Sequence, residues 1–85
     1  MSRVLVTGGA GTIGAAVVRR LLRDPEYEVR VSDQRPAPVW MREGCEVHTG
    51  DLRSPEEAER ATRGCSKVIH LAAIVGGIAN FHRLP

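Results

Sequence analysis

Thr7-Gly8-Gly9-Ala10-Gly11-Thr12-Ile13-Gly14 is the stretch on which the reading of this chain turns. Gly8, Gly11 and Gly14 recur at three-residue intervals between a short apolar run and a longer amphipathic one. Upstream, Arg3 to Thr7 is centred on Val4-Leu5-Val6 and reads as a strand. Downstream, Ile13, Val17, Val18, Leu21 and Leu22 fall at helical spacing, with Arg19, Arg20 and Arg23 on the other side. The spacing predicts a helix from about Thr12 to Arg23, stopped by Asp24-Pro25. In a strand-to-helix turn of this kind Gly8 can take the angles of a tight turn. Gly11 leaves room for a close phosphate, and Gly14 lets the helix approach the sheet. The N–H groups that open the helix at Thr12, Ile13 and Gly14, with the helix dipole behind them, favour a pyrophosphate. The competing reading is a glycine-rich turn that holds nothing. A P-loop is excluded, because no Gly-Lys-Ser or Gly-Lys-Thr ends the turn.

Glu28 to Ser32 alternates Val29 and Val31 with polar neighbours and reads as a second strand ending at Asp33. Asp33 stands close to the roughly 20 residues beyond the last glycine at which an acid accepts hydrogen bonds from the adenosine ribose hydroxyls. A carboxylate there repels a 2'-phosphate, which favours NAD. Arg35, two residues on, could instead pair with that phosphate and keeps NADP open as the alternative.

The rest of the chain continues the alternation. Gln34 to Gly44 holds Pro36 and Pro38 and lacks helical periodicity, so a loop or a single turn around Trp40 is expected. Trp40 would cover the adenine pocket or anchor that loop. Cys45 to Thr49 reads as a third strand and Gly50-Asp51-Leu52 as a turn. A helix follows, with Ser54 as cap, Pro55 at its first position, Glu57 completing a capping box and Gly64 ending it. Val68 to Ala72, nearly all apolar, reads as a fourth strand covered on both faces. Strands alternating with helices indicate an α/β fold, a Rossmann-type doubly wound parallel sheet. About four of its usual six strands are accounted for, so residues 1–85 read as the N-terminal part of a dinucleotide-binding domain. The fourth strand would be left as an apolar edge.

Composition sets the outer bounds. A 42% hydrophobic and 26% charged chain is ordinary folded material. A net charge of +2, with the basic residues scattered, gives no support to a nucleic-acid role. The apolar stretch Val68 to Ala79 falls short of the roughly 20 residues that span a bilayer, and no secretion signal opens the chain, so a cytoplasmic location is expected. Cys45 and Cys65 have no metal-ligand spacing and read as free thiols, and no metal site is expected.

Taken together, the glycine turn at Thr7 to Gly14, Asp33, Asp51-Leu52 and His70-Leu71-Ala72-Ala73 resemble the extended short-chain dehydrogenase/reductase family. Its members are NAD(P)-dependent epimerases, dehydratases and reductases, commonly of nucleotide sugars. The resemblance implies that Asp51 and the backbone at Leu52 contact the adenine amino edge, whereas the residues alone suggest only a turn. It also implies that Leu71, Ala72 and Ala73 line the cofactor, that a nucleotide sugar is the substrate and that the intact protein can be a homodimer. Val75-Gly76-Gly77-Ile78 is similar to the corresponding loop of GDP-fucose synthase and related nucleotide-sugar enzymes.

The family's catalytic pair is a tyrosine followed four residues later by a lysine. Tyr27 is followed at that spacing by Val31, and Lys67 has no tyrosine before it, so no catalytic residue is expected within this chain. A non-catalytic dinucleotide sensor of the same family is the alternative to an enzyme. His48, His70 and His82 show no partner arrangement that suggests acid–base work, and His70 is expected to be packed and hydrogen-bonded within its strand.

Overall fold

The structure, a computed structural model, describes residues 2–71, over which strands and helices alternate. β1 is Ser2–Thr7, α1 Thr12–Leu22, β2 Tyr27–Asp33, α2 Val39–Gly44, β3 Glu46–Thr49, α3 Pro55–Thr62 and β4 Lys67–His70. The strands form one parallel sheet in the order β3-β2-β1-β4. The order reverses between β1 and β4, the topological switch point at which doubly wound sheets bind their ligands.

Strand alternation assigns the two faces. Val4 and Val6 of β1 and Val29 and Val31 of β2 share one face, where they are buried with Val18 of α1, Met41 of α2 and Ala37. Leu5, Arg30 and Ser32 point to the opposite face, which α3 covers with the fully buried Ala61. Helices on both faces make the sheet doubly wound, as expected.

α3 is joined to its face by polar bonds more than by apolar contact. Beneath the end of α3, Arg30 Nη1 donates to the carbonyls of Arg63 at 2.7 Å, Ala61 at 2.9 Å and Arg60 at 3.4 Å. A cation on the last carbonyls of a helix satisfies acceptors that have no intrahelical donor and opposes the helix dipole. Gly64, at φ 77°, then turns the chain away, as the sequence indicates.

Two expectations are corrected. The capping box does not form. Ser54 is the N-cap residue and Pro55 opens the helix, but the Ser54 hydroxyl donates to Glu56 Oε2 at 3.0 Å and Glu57 is engaged by His48 and Arg60 instead. The segment around Trp40 is a helix of six residues, longer than the loop or single turn expected. Fewer than two turns are too short to display a period, and what holds α2 is tertiary: Met41 is fully buried, and the Arg19 guanidinium lies 4.5 Å from the centre of the Trp40 ring. Trp40 therefore anchors this segment. In β4, Lys67, Val68 and His70 are exposed while Ile69 packs against the core, which leaves the open edge expected of these residues. It is an edge strand of the described sheet, with β1 as its neighbour.

Cys45 and Cys65 are free thiols, and burial pushes Cys45 above the usual thiol range. Among the described residues no helix is long and apolar enough to cross a membrane.

Candidate functional site

The candidate site gathers at the carboxyl ends of the strands. β1 delivers the chain into the glycine turn, where Gly8 adopts φ 72°, a backbone conformation that disfavours any side chain. Gly8 N–H donates to Ser32 O at 2.7 Å and Gly11 N–H to Gly8 O at 3.1 Å, so the turn is closed on itself and tied to β2. A Cβ on Gly14 would collide with the backbone of Gly8 and Gly9, which is why the first turn of α1 can lie directly against the glycine loop. Gly11 is the N-cap of α1 and supplies no side chain to its free N–H groups. Thr12 and Ile13, both exposed, follow it. The backbone donors of the first turn thus have no side-chain cap, and donors of this kind suit an anion.

Asp33 closes the other side of the turn. Its Oδ2 accepts the Ala10 N–H at 3.0 Å, joining the end of β2 to the middle of the glycine loop. The same carboxylate accepts from the Arg35 N–H and Nε on Oδ1 and from Arg35 Nη2 on Oδ2. Burial pushes the Asp33 carboxyl upward, but the Arg35 and Ala10 hydrogen bonds outweigh it and hold the group below the usual aspartate value. The Arg35 guanidinium also covers Gly11, lying 2.8 Å from where a Cβ would stand.

At the end of β3 the arrangement is repeated. The Asp51 carboxylate accepts the Arg53 N–H at 2.9 Å and its guanidinium at 2.7 to 3.1 Å, and these bonds hold the Asp51 carboxyl below its usual range. Both candidate acids therefore sit in Asp-x-Arg turns, one on each of two adjacent strand ends. The spacing that would have revealed the second pair, Asp51-Leu52-Arg53, is the same as that of Asp33-Gln34-Arg35.

Leu71 follows β4, half-buried against the core, with its N–H donating to Thr7 O at 3.1 Å. The glycine loop, Asp33, Arg35, the Asp51-Leu52 turn and Leu71 thus all lie at the carboxyl ends of the strands. Ala72, Ala73, the Val75 to Ile78 loop and His82 lie outside the described residues.

His70 departs in part from expectation. His70 is exposed where a packed residue was expected, yet its hydrogen bond is present: Nδ1 lies 2.7 Å from Thr7 Oγ1 on the adjacent strand. His48, for which the sequence suggested no acid–base arrangement, has two hydrogen-bond partners. Its Nδ1 is 2.8 Å from Ser32 Oγ and its Nε2 is 3.1 Å from Glu57 Oε1. Ser32 and His48 are register partners on parallel strands, a relationship that no spacing within either strand reveals.

Known proteins resemble this chain in sequence and in fold. The profile of the NAD dependent epimerase/dehydratase family matches residues 4–85. Over 75 residues the chain is 37% identical to a 3-beta-hydroxysteroid dehydrogenase of Mycolicibacterium neoaurum, covering 88% of this chain and 20% of that protein. Uronate dehydrogenase from Agrobacterium tumefaciens matches with a TM-score of 0.68 at 31% identity, over 84% of this chain and 26% of the other. The UDP-glucose 4-epimerase of Thermus thermophilus, in complex with NAD, matches with a TM-score of 0.66 at 40% identity, over 80% of this chain and 23% of the other. The chain spans about a fifth of the length of the curated relatives it matches.

Proposed function

Because this chain belongs to the NAD dependent epimerase/dehydratase family, we propose that it is the cofactor-binding portion of an NAD-dependent epimerase, dehydratase or reductase acting on a nucleotide sugar. The observation that carries this reading is the bond from the Ala10 N–H to Asp33. It places an anionic hydrogen-bond acceptor against a loop whose backbone donors suit a pyrophosphate, the two chemistries that the two halves of an adenosine diphosphate demand. Gly8, Gly11, Thr12, Ile13 and Gly14 would hold the pyrophosphate, and Asp33 the ribose hydroxyls. Asp51 and Leu52 would meet the adenine, and Leu71, Ala72 and Ala73 would border the nicotinamide half. The bound dinucleotide would supply the hydride acceptor and donor.

NAD is preferred because the ionised Asp33 carboxylate repels a 2'-phosphate. Arg35 moderates that preference, since its guanidinium stands beside the carboxylate and bears the charge a 2'-phosphate needs. Calorimetric titration of the full-length protein with NAD and with NADP tests the assignment. Tighter binding of NADP would overturn it and move the 2'-phosphate contact to Arg35.

The sugar substrate is supported by the likeness to a UDP-glucose 4-epimerase. A hydroxysteroid is the second reading, favoured by the identity to 3-beta-hydroxysteroid dehydrogenases. Both reactions exchange a hydride with a carbinol carbon, so they are separated by offering nucleotide sugars and 3β-hydroxysteroids in turn. Reduction of NAD by the steroid alone would exclude the sugar.

A further inference from the structure

Glu57 leads from the sheet to the Gly50-Asp51-Leu52 turn. Its Oε1 accepts from His48 Nε2 at 3.1 Å and its Oε2 from Arg60 Nη1 at 2.7 Å. A carboxylate only accepts, so Nε2 is the donor of the His48–Glu57 pair, and in the tautomer with its proton on Nε2 the Nδ1 atom accepts from the Ser32 hydroxyl at 2.8 Å. Each contact along the chain Ser32, His48, Glu57, Arg60 then pairs a donor with an acceptor. A serine, a histidine and a carboxylate in this order resemble a nucleophilic triad, but Ser32 has no accessible surface, and no substrate carbon can reach its Oγ.

The chain ends against the turn. The carboxylate of Glu57 lies 2.5 Å, and the His48 ring edge 3.1 Å, from where a Cβ on Gly50 would stand. Gly50 is thereby enclosed, while its N–H donates to Asp33 O at 3.2 Å. Asp51 and Leu52 leave from that point. Two side chains, one from β3 and one from α3, thus lie against the turn, and His48 is itself bonded to Ser32 of β2 while Glu57 is held by His48 and Arg60.

We infer that Ser32, His48 and Glu57 are positioning residues that hold the Gly50-Asp51-Leu52 turn in the place where it meets the adenine ring. The inference rests on the proposal that this turn contacts adenine. A side chain held in one rotamer by packing and hydrogen bonds keeps its neighbour within the small tolerance that recognition requires. His48 and Glu57 do so without touching the ligand. Their removal therefore loosens the adenosine half of the site and leaves the nicotinamide half as it was.

The test uses the full-length protein with AMP and nicotinamide mononucleotide, the two halves of the dinucleotide, as separate competitive ligands. Glu57→Ala and His48→Phe should weaken AMP about tenfold, the effect of about one lost hydrogen bond, with nicotinamide mononucleotide changed less than about twofold. Glu57→Gln, whose carbonyl still accepts from His48, should recover most of the AMP affinity. Equal weakening of both ligands, or of neither, overturns the inference. Asp51→Ala separates the two layers of argument. If it weakens AMP while Glu57→Ala does not, the turn contacts adenine and the brace is not what places it. If Asp51→Ala and a Leu52→Gly change both leave AMP untouched, the adenine contact itself fails and the inference falls with it.

Discussion

Arg35 occupies both carboxylate oxygens of Asp33, with Nε 3.1 Å from Oδ1 and Nη2 3.0 Å from Oδ2. Ribose hydroxyls that bind Asp33 must share the carboxylate with that guanidinium or displace it. Asp33→Ala should weaken NAD by about 1 to 3 kcal/mol through lost hydrogen bonds to a charged group, read by calorimetry on the full-length protein. An unchanged affinity would remove Asp33 from the site.

Arg35→Ala is expected to act in the opposite sense on the two cofactors. It leaves the Asp33 carboxylate open for the ribose diol and takes away the charge that compensates a 2'-phosphate. NAD binding should hold or tighten while NADP weakens, so the ratio of the two dissociation constants moves toward NAD. A fall in NAD affinity alone would show that Arg35 works for NAD instead.

The depressed carboxyl of Asp33 couples the glycine loop to pH. Its folded-state pKa lies below the unfolded value of about 3.9, so its contribution to stability is complete above that value and disappears as the pH falls through the folded one. Between about pH 6 and pH 3, the native protein should lose more stability than Asp33→Asn does. Parallel loss in denaturant melts of the two proteins would contradict this.

Glycines that look alike in sequence should differ in their tolerance of a methyl group. Gly14→Ala drives a Cβ into backbone that cannot retreat and should cost about 1 to 3 kcal/mol. Gly44→Ala meets only Leu22 Cδ1, at 3.6 Å, and should be neutral or stabilising by up to about 1 kcal/mol. In denaturant melts, the Gly14→Ala midpoint should fall well below that of the parent and the Gly44→Ala midpoint at or above it.

Arg30→Met removes the donor that serves three carbonyls at the end of α3 and should destabilise the protein by about 1 to 3 kcal/mol, because the Arg30 side chain is only 12% exposed. Arg30→Lys should restore part of the loss, since a single ammonium cannot also keep the guanidinium's contact with Glu46. Equal stability of all three proteins in urea would mean that α3 is held by its apolar contact alone.

The succession of elements is written in local signals along the chain. A short apolar run marks β1, apolar alternation marks β2, helical spacing marks α1, and Pro55 and Gly64 bound α3. The glycine loop and Asp33 are legible for the same reason, since their spacings run along one segment. Relationships that depend on strand register came only with the folded sheet. Ser32 meets His48, and Thr7 meets His70, because parallel strands place them side by side. Arg30 and Glu57, which look like surface charges in sequence, become the polar clamps of α3 because alternation turns Arg30 and His48 toward the face that α3 covers. The failed capping box at Ser54 has the same cause. Its local bond had to compete with partners for Glu57 that the folded sheet and α3 supply, and His48 and Arg60 won.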